Sequence, residues 1–297
     1  SCFDSCFNCW VNFNDRLYFK LYKGLSPIAV SSGTTIKPII KKFDNQLFPE
    51  LSRRLSLSKD IPQEIFGLKF PKGQKSISIK YQGAMHHSLS QLGDISNPGI
   101  VSNSGVISSK SVFLSGASNW YPIFGDELIV FKIKVHLSHN WDAVSQGKRL
   151  KYDRNIKDTE VIWECESPQE EIFLIGGSFN HYSRSNNRIE AMVFLRESNQ
   201  DLAKKYLEVT FQYIKMYEDL LGPYPYNKFA LIENFLETGF GMPSFTLLGP
   251  RVIRLPFILY SSYPHEILHN WFGNGIYVDY KKGNWAEGLS AYLADHL

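Results

Sequence analysis

Two histidines stand four residues apart in the stretch "YPHEILHNWFGN". Residues at this spacing lie on one face of a helix, so His265 and His269 can present two imidazoles to one metal ion. Glu266 lies beside that face, where its carboxylate can act on a water molecule without ligating the metal. This H-E-x-x-H arrangement is typical of zinc hydrolases. It predicts one catalytic Zn²⁺ ion, with Glu266 as the general base.

A catalytic zinc ion also needs a third protein ligand. Glu287 in "NWAEGLSAY" is the predicted ligand, because a helix that begins near Trp285 can run back against the first helix and direct a carboxylate at the metal. Asp279 in "GIYVDYKKG" is a competing candidate. A carboxylate in such a loop is more often solvated. The predicted ligand set is therefore His265, His269 and Glu287.

The stretch that precedes these helices is rich in strand patterns. Between residues 68 and 196, "SISIKY" and "VFKIKVHL" alternate, and "VIWECE", "EIFLIGG" and "RIEAMVFLR" follow with polar turns such as "SFNHYSRSNN" between them. Alternation with period two predicts antiparallel strands with one solvated face. Cys165, in "VIWECES", is predicted to be a small buried side chain.

The pattern changes to a helical period near residue 198. The segment "NQDLAKKYLEVTFQYIKMYEDLLG" predicts a helix with a stripe of Tyr206, Thr210, Tyr213, Tyr217 and Leu220. Ser198 or Asn199 can cap its start, and Gly222 ends it. "KFALIEN" predicts a short strand, and "PHEILHNWF" and "WAEGLSAYLADH" predict two further helices.

These patterns together predict an α+β fold. We expect a poorly defined N-terminal segment at 1–45, a β-rich N-terminal domain at 46–197, and the first part of a mixed α/β domain at 198–297. The sequence contains no internal repeat and no low-complexity segment.

The amino-acid composition argues against a nucleic-acid partner and against a membrane-spanning helix. Lys and Arg number 32 and Asp and Glu 29, a net charge of +3, which is too small to indicate a nucleic-acid partner. No apolar run approaches the roughly 18 residues that a membrane-spanning helix needs, so no transmembrane segment is predicted.

The N-terminal stretch "SCFDSCFNCWVNF" gives little further information. It starts at Ser1 and has no basic leader pattern, so we expect the natural start of the chain to be missing. The compartment stays open between the cytoplasm and the cell envelope. Cys2, Cys6 and Cys9 have a C-x3-C-x2-C spacing that iron–sulfur radical enzymes also use. Strand patterns follow instead of the strand–helix repeats of such an enzyme, which disfavours a cluster.

Beyond the metal motif, "HEILHNWFGN" and "NWAEGLSAYLAD" resemble the gluzincin aminopeptidases of the membrane alanyl aminopeptidase and leukotriene hydrolase family. In that family, H-E-x-x-H is followed by one residue and W-x-G-N, and the third ligand is a Glu in a W-x-x-E-G segment. "YLEVTFQYIKMYEDLLGPYPYNKFALIEN" is similar to the family's approach to its active site. The resemblance covers about 119 to 297. It implies a saddle-like N-terminal domain, a thermolysin-like catalytic domain, and zinc-dependent hydrolysis of peptide or oligopeptide substrates.

The sequence departs from that family in its substrate-binding motif. The family's G-x-M-E-N glutamate binds the free amine of the substrate, whereas this chain has "GFGMPSFT", with Pro243 and Ser244 in place of the Glu and Asn. Glu233 or Glu237 could supply the missing charge. The stretch is still predicted to bind substrate as an added strand, through Gly239, Gly241, Met242, Pro243 and Ser244.

Two other departures concern the length of the chain. The loop between His269 and Glu287 is one residue shorter than is usual in the family, which a loop absorbs easily. The family's transition-state tyrosine is expected beyond Leu297, so the sequence looks like a fragment.

Three functions follow from these observations. The first is a zinc peptidase, the second a catalytically impaired family member or fragment that acts as a peptide-binding module, and the third a zinc hydrolase of an epoxide or ester. The presence of Glu266 favours the first over the second, because a binding module needs no base.

Overall fold

The computed structural model describes residues 2–10, 16–30, 36–40, 55, 62–69, 76–85, 105–237 and 239–296. Contacts divide the chain into two compact units, one of Ser1–Ile129 with Glu170–Leu174 and the other of Val130–Gln169 with Ile175–Leu297. Strands occur in both units, and the α-helices of the described ranges lie in the second. The predicted α+β class is confirmed.

The first unit is built from antiparallel strands. In chain order they are β1 (Cys2–Trp10), β2 (Arg16–Tyr22), β3 (Leu25–Val30), β4 (Ile36–Ile40), β5 (Gln63–Lys69), β6 (Ser76–Ala84), β7 (Val106–Ile107) and β8 (Ser111–Leu114). Two three-stranded sheets have the orders β1-β6-β3 and β2-β5-β4, and β7 pairs with β8. The strand predicted in "SISIKY" is confirmed as β6, which buries Ile77, Ile79 and Tyr81.

The N-terminal segment at 1–45 differs from its prediction, because β1 to β4 lie within it. Their backbones pair with β5 and β6, so partners distant in sequence give this segment its strands. The side chains of Cys2, Cys6 and Cys9 lie outside the described part of the structure. The absence of a cluster there stays a prediction.

The second unit combines sheets with helices. Its strands are β9 (Ile129–Ser138), β10 (Asp142–Val144), β11 (Lys148–Arg154), β12 (Asp158–Gln169), β13 (Leu174–Gly177), β14 (Asn180–Ser185), β15 (Glu190–Leu195), β16 (Lys228–Glu233), β17 (Gly239–Met242) and β18 (Phe245–Leu248). Its α-helices are α1 (Gln200–Leu221), α2 (Ser262–Leu268) and α3 (Trp285–His296), and short 3-10 turns lie at Val252–Arg254, Pro256–Tyr260 and Tyr280–Lys282. The strands and helices predicted from residue 129 onward are found in these positions, but β13 and α2 are shorter than the predicted segments.

Helices α1 and α2 pack against a five-stranded sheet whose strand order is β14-β15-β16-β18-β17. β15, β16 and β18 run parallel, whereas β14 and β17 are antiparallel to their neighbours. Parallel neighbours need a crossover connection, and α1 supplies it between β15 and β16. "SFNHYSRSNN", predicted as a turn, contains β14. Its polar composition suits an exposed edge strand.

Helix α1 follows its predicted caps. The Asn199 side chain accepts a hydrogen bond from the Leu202 amide at 3.0 Å, and Gly222 ends the helix with a φ of 94°. Tyr206, Thr210 and Tyr217 are buried as predicted, but Leu220 is 54% exposed. Leu221 takes its place against the core, because the position four residues after Tyr217 lies closer to the buried face.

The boundary predicted between residues 197 and 198 differs from the division into units. β15 precedes that point and β16 follows it, yet Ala191 of β15 lies opposite Phe229 of β16 in one sheet. Residues 130–169 also belong to the second unit.

Candidate metal centre

The histidine helix α2 is shorter than the sequence predicts. It ends at Leu268, and His269 is its C-terminal cap, with helical φ and ψ of −57° and −19°. The His269 amide donates to the carbonyl of His265 at 3.2 Å, so the one-turn relation between the two histidines is kept. The Asn270 side-chain amide donates to the carbonyls of Glu266 and Ile267 at 3.3 and 3.0 Å, which satisfies the end of the helix.

His265, His269 and Glu287 meet at one point. The two Nε2 atoms are 3.0 Å apart, the His265 Nε2 atom is 3.1 Å from Glu287 Oε1, and the His269 Nε2 atom is 3.3 Å from Glu287 Oε2. Glu287 lies in the first turn of α3, as predicted. The competing candidate Asp279 instead accepts from the Lys282 amide at 2.8 Å through its carbonyl and pairs its carboxylate with the Lys282 side chain at 3.4 Å.

These three residues fit a zinc ion. Ligand atoms about 2.1 Å from a tetrahedral zinc lie about 3.4 Å from one another, close to the separations found here. His269 Nδ1 lies 3.1 Å from the Phe272 carbonyl, and a proton donated there leaves Nε2 with its lone pair toward the other ligands. Burial and the neighbouring His269 lower the pKa of His265, although Glu287 acts in the opposite direction. The lowered pKa favours the neutral imidazole, which is the form that binds a metal.

Glu266 is held beside this cluster, close to the edge strand β17. A methyl group on the Cα atom of Gly241 would overlap its Oε2 atom and come within 3.5 Å of His269 Cδ2. Burial, and then the charge of Glu287, raise the pKa of Glu266 to about 7. A carboxylate with such a pKa can both take up and release a proton near neutral pH.

The predicted substrate-binding stretch divides into exposed and buried parts. Gly239 and Gly241 are exposed in β17, whereas Met242, Pro243 and Ser244 are buried. The Ser244 hydroxyl accepts from the Gly147 amide at 3.1 Å, so it is engaged inside the protein. The backbone of the two glycines is the part of the stretch that an extended peptide can approach.

Glu233 and Glu237 are both engaged by arginines. Glu233 is 2% exposed, pairs with Arg254 at 2.6 Å and accepts from the Arg196 amide at 2.8 Å. Glu237 accepts from the Arg251 amide at 3.1 Å and pairs with that side chain at 3.6 Å. Each carboxylate therefore already has an arginine partner.

Two further residues of this region, Asn270 and Lys228, were not predicted from the sequence. Asn270 links the helix end to the Ser244 amide, which donates to its Oδ1 atom at 2.7 Å. Lys228 is buried under the hairpin that carries Ser244. One signal was available for Lys228, because a lysine directly precedes the apolar run "FALI".

Comparison with known proteins shows a likeness in fold. Neither a protein-family model nor a characterised protein sequence matches this chain. Among solved structures, the M1 zinc metallopeptidase from Deinococcus radiodurans matches with a TM-score of 0.67 and 13% identity, over 99% of this chain and 65% of that one. Its glutamate-to-alanine variant with a Tyr-Ser-Ala substrate matches with a TM-score of 0.62 and 12% identity, over 92% and 60% of the two chains.

A two-domain M1 zinc metallopeptidase variant bound to L-tryptophan is similar too, with a TM-score of 0.68 and 13% identity over 99% of this chain and 65% of that one. At such identities the likeness establishes the fold, which this chain shares with M1 zinc metallopeptidases. The chain spans less than two thirds of the length of these structures. Over the described ranges, no helix combines the length and apolarity required to cross a membrane.

Proposed function

We propose that this protein is a zinc-dependent, aminopeptidase-like peptidase that hydrolyses peptide bonds without depending strongly on a free substrate amine. The observation that carries the proposal is the convergence of two imidazole nitrogens and one carboxylate within 3.0 to 3.3 Å of one another. Glu266 beside this cluster supplies a base. The fold shared with M1 zinc metallopeptidases also supports a peptidase function.

His265, His269 and Glu287 would hold the zinc ion. When bound, zinc polarises a carbonyl group and makes a water molecule easier to deprotonate. Glu266 would take the proton from that water at a carboxylate oxygen and then deliver it to the nitrogen of the leaving amine. Its pKa of about 7 suits both transfers.

The edge strand β17 would hold the substrate. An extended peptide can add to the edge of a sheet through backbone hydrogen bonds. Gly241 brings that edge against Glu266 and His269, so a peptide bond aligned with β17 would face the base. The Deinococcus radiodurans enzyme was solved with a tripeptide, which makes short peptides the first substrates to test.

Replacing Glu266 with Gln tests the base. We expect zinc content to stay near that of the wild type, because Glu266 is not one of the three converging ligands. Peptide hydrolysis should fall by about a hundredfold to ten-thousandfold, the usual contribution of a general base. Metal analysis and a peptide cleavage assay on the same preparation measure both quantities. Loss of zinc from this variant would make Glu266 a ligand and contradict the assignment.

Replacing Glu287 with Ala tests the ligand set. The variant should lose most of its zinc, because two imidazoles alone leave the ion short of a protein ligand. Asp279→Ala is the matched control, since that carboxylate pairs with Lys282, and it should retain zinc. The reverse result would transfer the third ligand to Asp279.

The alternative function is a peptide-binding module. It would be supported if the wild-type protein held zinc and bound peptides in a calorimetric titration but cleaved none of them. Cleavage of ester or epoxide substrates alone would indicate a different zinc hydrolase.

A further inference from the structure

A buried lysine lies beneath the strand proposed to hold the substrate. Lys228 is the first residue of β16 and is 1% exposed. Its Nζ atom donates to the hydroxyl of Ser244 at 2.8 Å and to the carbonyl of Ser244 at 3.1 Å. The same atom lies 5.0 Å from the ring centre of Trp163 and 5.1 Å from that of Phe245. Both hydrogen bonds of the ammonium group therefore go to one residue, Ser244.

Ser244 has a conformation that its residue type rarely adopts. It is the second residue of the two-residue loop between β17 and β18, and its φ of 68° lies in the left-handed region. With Pro243 before it, the loop has the pattern of a type II turn, which prefers Gly or Asn at this position. Two-residue hairpins also favour the mirror-image turns. The surroundings of the loop must therefore hold it in place.

Every polar group of Ser244 is held from outside the hairpin. The amide donates to Asn270 Oδ1 at 2.7 Å, and the carbonyl also accepts from the Ala230 amide at 3.1 Å. The hydroxyl accepts from the Gly147 amide as well as from Lys228. Asn270 directly follows the ligand His269, so Ser244 connects the edge strand to the end of the histidine helix.

Packing alone does not account for a lysine at this position. Burial of an ammonium group is unfavourable, and an apolar side chain of similar length, such as Met, would fill the space between two aromatic rings. Burial lowers the pKa of Lys228 to about 7, which reflects that cost. In the described part of the chain, Lys228 forms no ion pair with a carboxylate that would offset it.

We propose that Lys228 is a positioning residue that locks Ser244 and so fixes β17 against the metal-binding helix. The inference rests on the proposed peptidase function, in which β17 aligns the substrate with Glu266. Displacement of a bound substrate by about 1 Å can lower a rate about a hundredfold, so a rigid hairpin matters for turnover.

Replacing Lys228 with Met tests this role. We expect unchanged zinc content and an unchanged or higher melting temperature, because an unfavourable buried charge is removed. Hydrogen exchange in the peptide covering residues 239–246 should become at least about tenfold faster, and kcat should fall by about tenfold to a hundredfold with a smaller change in KM. Lys215→Met is the matched control, because Lys215 is an exposed lysine on α1 that pairs with Asp219 on the same helix, and it should change neither quantity.

A double-mutant cycle with Ser244→Ala sharpens the test. If Lys228 acts through Ser244, the double variant should lose little more kcat than Lys228→Met alone. Independent losses that multiply would overturn the proposal. Unchanged exchange and kcat in Lys228→Met would overturn it as well, as would a joint loss of stability and zinc, which indicates a purely structural lysine.

If the proposed peptidase function is wrong, the wild-type protein itself will show it, independently of the Lys228 variants. A wild-type protein that holds zinc but cleaves no peptide would remove the peptidase assignment and, with it, the catalytic part of this role. The exchange comparison does not need activity, so it decides separately whether Lys228 holds the hairpin.

Discussion

At the scale of single residues, the missing side chain of a glycine leaves the space that the Glu266 carboxylate occupies. Gly241 has no Cβ atom, and this allows the backbone of β17 to lie against Glu266. The Glu266 carboxylate therefore lies between the proposed metal ligands and the strand edge.

Replacing Gly241 with Ala should displace the base. The added methyl group would overlap Glu266 Oε2, so the carboxylate must rotate away from the site. We expect kcat to fall by about tenfold to a hundredfold while zinc content is retained. Steady-state kinetics and metal analysis check this.

Gly239→Ala is the comparison variant for that experiment. A methyl group there would meet Leu248 Cδ2 at 3.6 Å, which is an ordinary contact, so its effect should be clearly smaller. Equal losses in the two variants would mean that glycine flexibility in β17 matters, and not the space beside Glu266.

The sequence predicted the site where the residues are close in the chain. His265 and His269 are one helical turn apart, and Glu287 follows in the next helix, so local spacing and family resemblance were sufficient to place them together. The proximity of Gly241 to Glu266 depends on how the sheet meets the helix. The spacing of residues along the sequence does not predict such a contact between distant segments.

At the scale of elements, helices α1 and α2 are joined by a buried hydroxyl pair. Thr210 Oγ1 and the Tyr263 hydroxyl lie 2.6 Å apart, and Thr210 Oγ1 also donates to the Tyr206 carbonyl at 2.6 Å. The Tyr263 hydroxyl is therefore the donor in the pair. This contact connects the long crossover helix to the helix that carries the histidines.

Replacing Thr210 with Val should destabilise the protein by about 1–3 kcal/mol, because it leaves the buried Tyr263 hydroxyl without a partner. The double variant with Tyr263→Phe should recover part of that loss, since neither buried hydroxyl is then left unpaired. Urea unfolding of the two single variants and the double variant measures these differences. Strictly additive losses would show that the hydroxyls do not act as a pair.

Elements with strong periodicity were predictable and the others were not. Helix α3 lies where "WAEGLSAYLADH" predicts it, whereas β14 was missed because an exposed edge strand carries few apolar residues. Helix α2 is shorter than predicted because the Asn270 side chain bonds the last carbonyls and the chain turns away. Local bonds of this kind leave no periodic signal.

At the scale of the whole molecule, the pairing of its acidic groups bears on substrate selection. Glu233 and Glu237 are engaged by Arg254 and Arg251, and Pro243 offers no acceptor side chain in the motif. We infer that the described residues supply no strong anchor for a free substrate amine.

Acetylated and free peptides should therefore be cleaved with similar efficiency. A charge-assisted contact to the amine would contribute about 1.5–3 kcal/mol, and without it we expect kcat/KM values within about tenfold of each other. The assay uses full-length protein and peptides matched in sequence. A preference for the free amine above about a hundredfold, or about 2.7 kcal/mol, would reveal an anchor and contradict this expectation.

The division into units was the least predictable feature of the fold. Residues 130–169 belong to the second unit, which holds the proposed metal ligands, although their sequence pattern is the same as that of the strands before them. Strand alternation reports which face of a strand is buried, but it does not report which sheet the strand joins. The predicted boundary followed the change from strand to helix patterns, which falls inside one sheet.

Under the proposed function, the brevity of β17 has a consequence for product release. This edge strand has four residues, and two of them are glycines, which are poor strand formers. A guest strand can gain only a few backbone hydrogen bonds along so short an edge, so it should dissociate readily after cleavage. The same brevity discourages lasting association with the strands of other proteins, which long exposed edges invite.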